Sequence, residues 1–517
     1  MDETLIGAEA LIGSLVGAGV DVCFMNPGTS EMHFVASLDA VPEMRGVLTL
    51  FEGVATGAAD GWARMTGRPA AVLLHLGPGL GNGLANLHNA RRAHTPMVVV
   101  VGAHATHHER YDAPLQSDIE SLAGTVSGWV HTSGHPRDVA HDAMGAVRSA
   151  RRDRHIATLV LPADVSWSDG GVPAPPPTIT SPTEMSPERL QALVPLLDGD
   201  ATTLFLGGGA LTERGLRAAS RIVAATGVRL LAETFPARLE RGAGRPAVDR
   251  LAYLAEAAEA QLAGTTTLLL AGAAAPVSFF AYPGRASDLV PDGCTVERLT
   301  GPGDDVEAAL VLLADRLAAG VEPVLAPAAV PAAPEGAITA RTLAAAVALT
   351  LPADAVLVDE AITAGGGLPA ATAGAAPHTL LTLTGGAIGQ GLPVATGAAV
   401  AAPGRRVVAI VGDGSAMYTI QSLWTQAREN LDVTTVIVNN ASYAILRAEL
   451  HRVGGEGTGP RAEQMLDIGG PRLDFTELAA GLGVDGVRVH DAAELTAELR
   501  RANAAPGPHL IEAMFGP

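Results

Sequence analysis

Lysine does not occur in this 517-residue sequence, because all 34 of its Lys+Arg residues are arginine. The chain therefore offers no lysine side chain for a Schiff base, and it lacks the lysine of a phosphate-binding P-loop. Carbonyl chemistry in such a protein must take its electron sink from a cofactor. Cysteine is nearly absent too: Cys23 and Cys294 lie far apart in the sequence, which argues against a disulfide framework or a thiolate metal site.

Positive charge and long apolar runs are also scarce. The formal net charge is −20, whereas a nucleic-acid partner requires a concentrated basic surface, so we exclude that class of partner. No run of about 18 bulky apolar residues is present, and we expect no membrane association. The sequence opens with MDETLIGAEALIGSL, without a basic segment before an apolar one, so we expect a cytoplasmic protein.

Two proline-rich segments, 170–184 and 321–336, show little hydrophobic periodicity and are typical of linkers. In the segments between them, apolar strand-like runs alternate with alanine-rich helical stretches, which is the pattern of parallel sheets covered by helices. We therefore predict an α/β protein with three doubly wound parallel-sheet domains, over residues 1–170, 185–322 and 336–517. The middle segment carries few polar groups at its strand ends, so we expect it to be mostly structural.

The strongest motif consists of two polar clusters, Gly412-Asp413-Gly414 and Asn439-Asn440. Each cluster follows an apolar strand, and a helix is predicted between them over 415–429. This spacing fits a strand–helix–strand crossover, which returns Asn440 to the sheet edge where Asp413 lies. Carboxylate and amide oxygens suit Mg²⁺, and the amides at the start of the helix can receive a diphosphate. A GDG triplet alone would more often be a plain turn.

A second candidate is Glu52, which ends a predicted strand and opens a helix rich in alanine and glycine. Phe51 and Val54 give it an apolar setting, in which a carboxyl group can share a proton with a ligand. The alternative is a carboxylate that interacts only with the helix dipole.

Two glycine-rich segments complete the pattern: LTGGAIGQGLPVATGAA, with Gly386 and Ile388, and DEAITAGGG, with Thr363 and Ala364. Small residues allow a backbone to approach a ligand closely. A simple loop before a helix is the alternative for the glycine pair.

Together these motifs resemble the thiamine-diphosphate (ThDP) dependent family of 2-oxo-acid decarboxylases and acetolactate synthases, and the likeness covers nearly the whole chain. The resemblance implies a pyrimidine-binding domain in 1–170, a central domain in 185–322 and a diphosphate-binding domain in 336–517. It implies ThDP and Mg²⁺ as cofactors. FAD is not expected, because GGGALTERG in the middle segment is only a weak glycine turn.

The resemblance also assigns roles to single residues. Glu52 would hydrogen-bond the pyrimidine ring and so promote loss of the proton from the thiazolium carbon. The Gly386 carbonyl would accept a hydrogen bond from the aminopyrimidine, and Ile388 would hold the cofactor in its bent form. The implied metal ligands are Asp413, Asn440 and the Ser442 carbonyl. The implied cofactor-binding residues are Thr363, Ala364, Gly386, Ile388, Gly412, Asp413, Gly414, Ser415, Asn440 and Tyr443.

On the substrate side the motifs are most similar to those of benzoylformate decarboxylases. The run Asn26–Glu31 puts Thr29 at the position of a substrate-binding serine, and His75 matches an active-site histidine. An imidazole there could bind a substrate carboxylate or relay a proton, although a hydrogen-bonded core histidine is the alternative. Where a second active-site histidine is expected the chain has Ala281. The histidines 104, 107 and 108 match no role and are expected on the surface or in loops.

The expected reaction is the nonoxidative decarboxylation of a 2-oxo acid to an aldehyde. The resemblance places the cofactor between Glu52 of one subunit and Asp413 of another, which implies at least a homodimer, and a homotetramer is expected. Two alternatives remain open: an acetolactate-synthase-like carboligase that joins two 2-oxo acids, and a noncatalytic binding scaffold. The presence of both Glu52 and Asp413 argues against the scaffold.

Overall fold

The computed structural model describes residues 5–179, 185–301, 304–453 and 459–516, which form three sheets. The strands of the first sheet are β1 (Val22–Met25), β2 (Arg45–Leu48), β3 (Ala70–Leu74), β4 (Met97–Ala103), β5 (Trp129–Thr132) and β6 (Ile156–Pro162). All pair in parallel, in the order β2-β1-β3-β4-β6-β5. The helices of this part are α1 (Gly7–Gly17), α2 (Met32–Ser37), α3 (Glu52–Thr66), α4 (Leu76–Arg92), α5 (Ile119–Gly124), α6 (Val139–Asp153) and α7 (Ala163–Trp167).

Both faces of the first sheet are covered by helices. In β4, Val99 and Val101 belong to the apolar cluster that includes residues of α3 and α4. Val98 and Val100 belong to a second cluster, with residues of α1 and α6. Because alternate side chains of a strand point to opposite faces, a strand buried on both faces must be apolar at every position. The doubly wound arrangement predicted from the sequence is confirmed.

The second sheet is smaller. The strands of this part of the chain are β7 (Thr202–Leu206), β8 (Arg229–Ala232), β9 (Leu239–Arg241), β10 (Thr267–Ala271) and β11 (Thr295–Arg298). Four of them pair in parallel, in the order β11-β10-β7-β8. The helices are α8 (Pro187–Leu193), α9 (Glu213–Thr226), α10 (Ala255–Leu262) and α11 (Val306–Leu317).

The third sheet holds the carboxyl-terminal strands, which are β12 (Ala355–Glu360), β13 (His378–Thr382), β14 (Val407–Gly412), β15 (Val433–Asn439), β16 (Asp485–Val489) and β17 (His509–Met514). The order is β16-β17-β15-β14-β12-β13-β9, and only β9 is antiparallel to its neighbour. A strand from the middle of the chain thus completes the third sheet. The helices are α12 (Ala340–Thr350), α13 (Leu368–Ala371), α14 (Gly391–Ala401), α15 (Asp413–Ala416), α16 (Ser422–Arg428), α17 (Ala444–Arg452), α18 (Pro460–Gln464), α19 (Phe475–Gly481) and α20 (Ala492–Ala504).

The prediction of one continuous helix over 415–429 is wrong. The chain forms α15 and α16, with tight turns between them in which Tyr418 N–H donates to the Ser415 carbonyl and Thr419 N–H to that of Ala416. The Thr419 hydroxyl donates to the Gly389 carbonyl at 3.0 Å. This hydrogen bond to a distant part of the chain lies where the helix is interrupted. Local helix propensity does not predict such an interruption.

The first and third sheets are joined by close packing of α3 against α14. A side chain added at Gly61 would strike the backbone of Val394, and one added at Gly397 would strike the backbone of Ala58. The glycines are therefore needed for the approach of the two helices. This contact brings the helix that begins at Glu52 beside the loop that precedes α14.

A buried ion pair lies at this junction. Arg64 donates to Asp60 through Nε at 2.8 Å and Nη2 at 2.5 Å, and both side chains are enclosed. Arg64 also donates to the Thr382 carbonyl and the Thr384 hydroxyl, while Gln390 Nε2 donates to Asp60. The charges are thus paired and hydrogen-bonded, as buried charges must be.

In the part of the chain described, none of the helices combines the length and the apolar character needed to cross a bilayer.

Candidate active site

The candidate residues of the third sheet follow three neighbouring parallel strands, β15, β14 and β12. Asn440 comes after β15, Asp413 after β14, and Thr363 with Ala364 after β12. Ligands of open α/β sheets bind beyond these carboxyl ends. The crossover thus places Asp413 and Asn440 together, as its spacing predicts.

Asp413 is the centre of this cluster. Its Oδ2 accepts the Asn440 and Ala441 N–H groups at 3.1 and 2.7 Å, and Oδ1 accepts the Gly414 N–H at 2.8 Å. Burial raises the pKa of this carboxyl, and the three N–H donors oppose that rise. A carboxylate accepts about four hydrogen bonds. One position on Oδ1 is therefore left for a further ligand.

The oxygens around Asp413 suit a hard cation. Asn440 Oδ1 accepts the Ser442 N–H at 3.0 Å, which fixes the amide close to Asp413. No donor among the described residues binds the Ser442 carbonyl. Nor do the described residues form a group of three or more His, Cys, Asp or Glu side chains suited to a metal ion. A metal here would be held by carboxylate, amide and carbonyl oxygens, a set that Mg²⁺ accepts.

The other predicted residues of this edge surround the cluster. The Tyr443 ring lies against Gly414, where a side chain would collide with it, and Ser415 is buried beside them. Thr363 is exposed on a 3₁₀ turn that follows β12. The N–H of the buried Ala364 is bound to the Ala361 carbonyl, so that amide is already used.

The loop 384–390 lies between β13 and α14, and its carbonyls are bound by the first part of the chain. His88 Nε2 lies 3.1 Å from the Gly385 oxygen, and Asn89 Nδ2 donates to Ala387 at 2.8 Å. Asn86 Nδ2 donates to the Gly389 carbonyl at 3.2 Å.

The carbonyl of Gly386 differs from its neighbours, because no described residue donates to it. Gly386 is exposed with a φ of 77°, a conformation that favours glycine. Half-buried Ile388 follows two residues later. The loop thus offers an acceptor and an apolar side chain to a ligand, which fits an aminopyrimidine.

Glu52 begins α3 and is 7% exposed. Asn82 Nδ2, on α4, donates to its Oε2 at 3.0 Å. No ion pair involves Glu52 among the described residues. Sequence reasoning missed Asn82, since only the packing of α4 on α3 shows the contact.

The side chain of His75 contacts the carboxylate of Glu31. Glu31 ends the motif Asn26–Glu31, but the sequence alone assigns it no role. His75 Nδ1 lies 2.8 Å from Glu31 Oε2, which also accepts the Gly28 N–H at 2.8 Å. Glu31 is 1% exposed, and burial raises the pKa of its carboxyl despite the nearby imidazole. An ionised Glu31 would accept a hydrogen from Nδ1, which leaves the other ring nitrogen, Nε2, without a partner among the described residues. A side chain at Gly28 would collide with the ring.

The remaining substrate-side positions are at the surface. Thr29 is exposed on the 3₁₀ turn Thr29–Glu31. Ala281 is exposed on an irregular segment, and the ring of nearby Phe279 lies against Gly386. His107 and His108 are exposed, and His104 is a half-buried loop residue.

Residues 6–123 match the model of the N-terminal TPP binding domain of thiamine pyrophosphate enzymes, and residues 362–513 match the C-terminal TPP binding domain. A protein of Mycobacterium tuberculosis (strain H37Rv), provisionally named acetolactate synthase large subunit IlvX, is 60% identical over 98% of both chains. The chain belongs to the thiamine pyrophosphate enzyme family. Thiamine pyrophosphate is ThDP under another name, so the family resemblance predicted from the motifs is confirmed.

Other members of the thiamine pyrophosphate enzyme family are more distant. Benzoylformate decarboxylase of Pseudomonas aeruginosa is 28% identical over 96% of both chains. The solved structure of a ThDP-dependent 4-hydroxybenzoylformate decarboxylase of Rhodococcus jostii RHA1 is similar over 99% of both chains, with a TM-score of 0.85 and 25% identity. The names of these relatives thus include both an acetolactate synthase subunit and decarboxylases.

Proposed function

We propose that this thiamine pyrophosphate enzyme catalyses the Mg²⁺-dependent, nonoxidative decarboxylation of a 2-oxo acid to an aldehyde. The observation that carries the proposal is the Glu31–His75 pair. When CO₂ leaves a 2-oxo acid, a proton must take its place on the same carbon, and a held imidazole is a suitable donor. Buried Glu31 would stabilise the positive ring that carries this proton. The two decarboxylases among the relatives support the assignment.

The other residues would bind and orient the cofactor, whose thiazolium supplies the electron sink. Asp413, Asn440 and the Ser442 carbonyl would hold Mg²⁺ against the diphosphate. The Gly386 carbonyl would accept from the aminopyrimidine, and Ile388 would contact the ring system. Glu52 would share a proton with a pyrimidine nitrogen, which its buried position favours.

Exposed apolar side chains near both groups support a homodimer as the minimal unit. Leu50 lies two residues before Glu52 and is 45% exposed, and Met417, Tyr418 and Leu446 are exposed and close in sequence to Asp413 or Ser442. If these side chains form one contiguous apolar patch, they would mark an interface. The occupant we propose is a second copy of the chain, which would bring its Glu52 to this chain's Asp413; two such dimers would make the tetramer.

The second candidate is an acetolactate-synthase-like carboligase, which the 60% identical relative favours by its name. FAD is not part of either proposal. At the glycine turn of the second sheet, Glu233 Oε1 accepts the Gly208 N–H at 3.0 Å. The Glu233 carboxylate therefore occupies a backbone N–H group that an FAD phosphate would need as a donor. When ionised, this carboxylate would also repel the phosphate.

Product analysis separates the two reactions. Purified protein with ThDP and Mg²⁺ is incubated with single 2-oxo acids, pyruvate and benzoylformate among them, and the products are identified by chromatography. The proposal predicts one aldehyde per CO₂. Acetolactate from pyruvate as the main product would contradict it and support the carboligase.

Replacing Glu31 tests how His75 is held. In Glu31→Gln the amide oxygen can take the place of Oε2 and accept from the Gly28 N–H and His75 Nδ1, but the negative charge beside the imidazole is lost. We expect kcat to fall about 10- to 100-fold, since placed acid–base groups contribute about 10²–10⁴-fold. Steady-state kinetics of the single variants and of Glu31→Gln/His75→Ala check this. If Glu31 acts through His75, the double variant is no slower than His75→Ala; additive losses would refute the coupling.

Replacing Ala281 tests what happens to the substrate carbon after it has lost CO₂. Because Ala281 supplies no second imidazole beside His75, protonation of this carbon should be slower than with two, and an added aldehyde should then be captured to give a 2-hydroxy ketone. We expect Ala281→His to raise the ratio of aldehyde to hydroxy ketone by about 10-fold or more, as an added general acid should. Both proteins are compared at equal acceptor concentration. An unchanged ratio would show that this position does not control protonation.

A further inference from the structure

Glu360 is a buried carboxylate without a place in the chemistry above. It ends β12, is 2% exposed, and binds three consecutive backbone N–H groups. Oε1 accepts from Gly389 at 2.7 Å and Gln390 at 3.2 Å, and Oε2 accepts from Gly391 at 2.6 Å. These amides form the start of α14, where N–H groups have no partner within the helix.

No arginine balances this charge: among the described residues Glu360 has no ion pair. Burial raises the pKa of Glu360 to about 7, neighbouring Asp359 adds to the rise, and the three N–H donors oppose it. Burying a charge is costly unless hydrogen bonds compensate for it. Here the compensating hydrogen bonds come from N–H groups at the end of the loop 384–390. The buried carboxylate therefore needs the loop in this position, and the carboxylate in turn holds the loop there.

The position of Glu360 connects the two ends of the cofactor site. In the sheet, Glu360 pairs with Val411, which is two residues before Asp413. Through its side chain it holds the end of the loop that carries Gly386 and Ile388. The helix α4 binds the same loop from the first part of the chain. Glu360 and Thr419 instead tie it to the third sheet, where Asp413 lies.

We propose that Glu360 is a positioning residue that sets the Gly386 carbonyl and Ile388 relative to Asp413. It would thereby fix the distance between the pyrimidine end and the diphosphate end of the bound cofactor, without touching the cofactor itself. This inference rests on the proposed function, because it assumes that ThDP occupies both ends.

The test uses Glu360→Gln and two ligands, ThDP and inorganic pyrophosphate, each titrated calorimetrically with Mg²⁺. In the variant an amide NH₂ faces the backbone N–H groups, so at least one hydrogen bond is lost and the loop shifts. We expect ThDP affinity to fall about 10- to 100-fold, the effect of losing one or two charged hydrogen bonds. Pyrophosphate needs only the Asp413 end, so its affinity should change less than about 2-fold.

Two further variants keep the test decisive. Glu240→Gln alters another buried carboxylate, which binds Arg238, Arg245 and Thr379, and should leave both affinities unchanged. Gly391→Ala would place a methyl group 2.7 Å from Glu360 Oε2 and should reproduce the selective loss if Glu360→Gln does not fold.

An equal fall in the affinities for ThDP and pyrophosphate, or normal ThDP binding by Glu360→Gln or Gly391→Ala, would overturn this inference and leave the proposed function intact. Failure of the wild-type protein to bind ThDP would overturn the proposed function and this inference with it.

Discussion

Glu52→Gln should bind ThDP normally and turn over at least about 10³-fold more slowly than the wild-type protein, within the range of a lost acid–base group. A neutral amide cannot share the pyrimidine proton, but its oxygen can still accept from Asn82, so the start of α3 is retained. The proton on the thiazolium carbon should then exchange slowly with deuterium in the bound cofactor, which NMR of quenched samples measures.

The control for this experiment is Glu9→Gln. Glu9 also lies in the first turn of a helix, where it accepts the Ile6 N–H. Its helix, α1, covers the face of the first sheet opposite α3 and α4. The variant should exchange and turn over at wild-type rates. Wild-type exchange in Glu52→Gln would show that Glu52 is only a helix-start carboxylate.

Asp413→Ala should lose measurable ThDP binding in the presence of Mg²⁺. The substitution removes the proposed metal ligand. It also removes the acceptor of the Gly414 and Asn440 N–H groups and one of the two acceptors of the Ala441 N–H. The segment that carries the other two ligands is therefore loosened as well. Calorimetric titration measures the affinity, and circular dichroism checks that the fold is retained.

Ser442→Ala is the matched control, because the proposed ligand at this position is the backbone carbonyl. The Ser442 hydroxyl donates only to the Leu466 carbonyl at 3.3 Å, so its removal should leave ThDP affinity close to the wild-type value. Normal ThDP affinity in Asp413→Ala would refute the metal site.

The sequence predicted those parts of the fold that follow from continuous apolar runs. Strands such as β3, β4 and β14 are buried on both faces, so their residues are apolar throughout. The proximity of Asp413 and Asn440 could also be predicted, because a crossover between neighbouring parallel strands returns the chain to the same edge of the sheet.

Other strands lack this signal and cannot be recognised from the sequence. The edge strands β5, β11 and β16 are partly exposed, so their sequences show no apolar run. In β17 the buried Glu512 interrupts the run, and its partners Asn439 and Arg488 become visible only in the fold. The three-residue β9 is too short for any periodicity and joins a sheet assembled from a later part of the chain.

The site was predicted unevenly for a related reason. Site residues in the glycine-rich motifs could be predicted because glycine is required where the backbone approaches a ligand closely, which leaves a recognisable pattern in the local sequence. Glu31, Asn82 and Glu360 are hydrogen-bonded to partners on other elements, and a single glutamate or asparagine in a sequence does not reveal which group it will bind.

CO₂ release from a 2-oxo acid should require the site formed around Glu52 and Asp413. The most direct measurement is CO₂ release from a panel of 2-oxo acids by the wild-type protein, with ThDP and Mg²⁺ and with each omitted, beside Glu52→Gln and Asp413→Ala. We predict release from at least one acid with both cofactors present, and none above background in the other samples. Release that persists without ThDP or in both variants, or no release from any acid, would contradict the account.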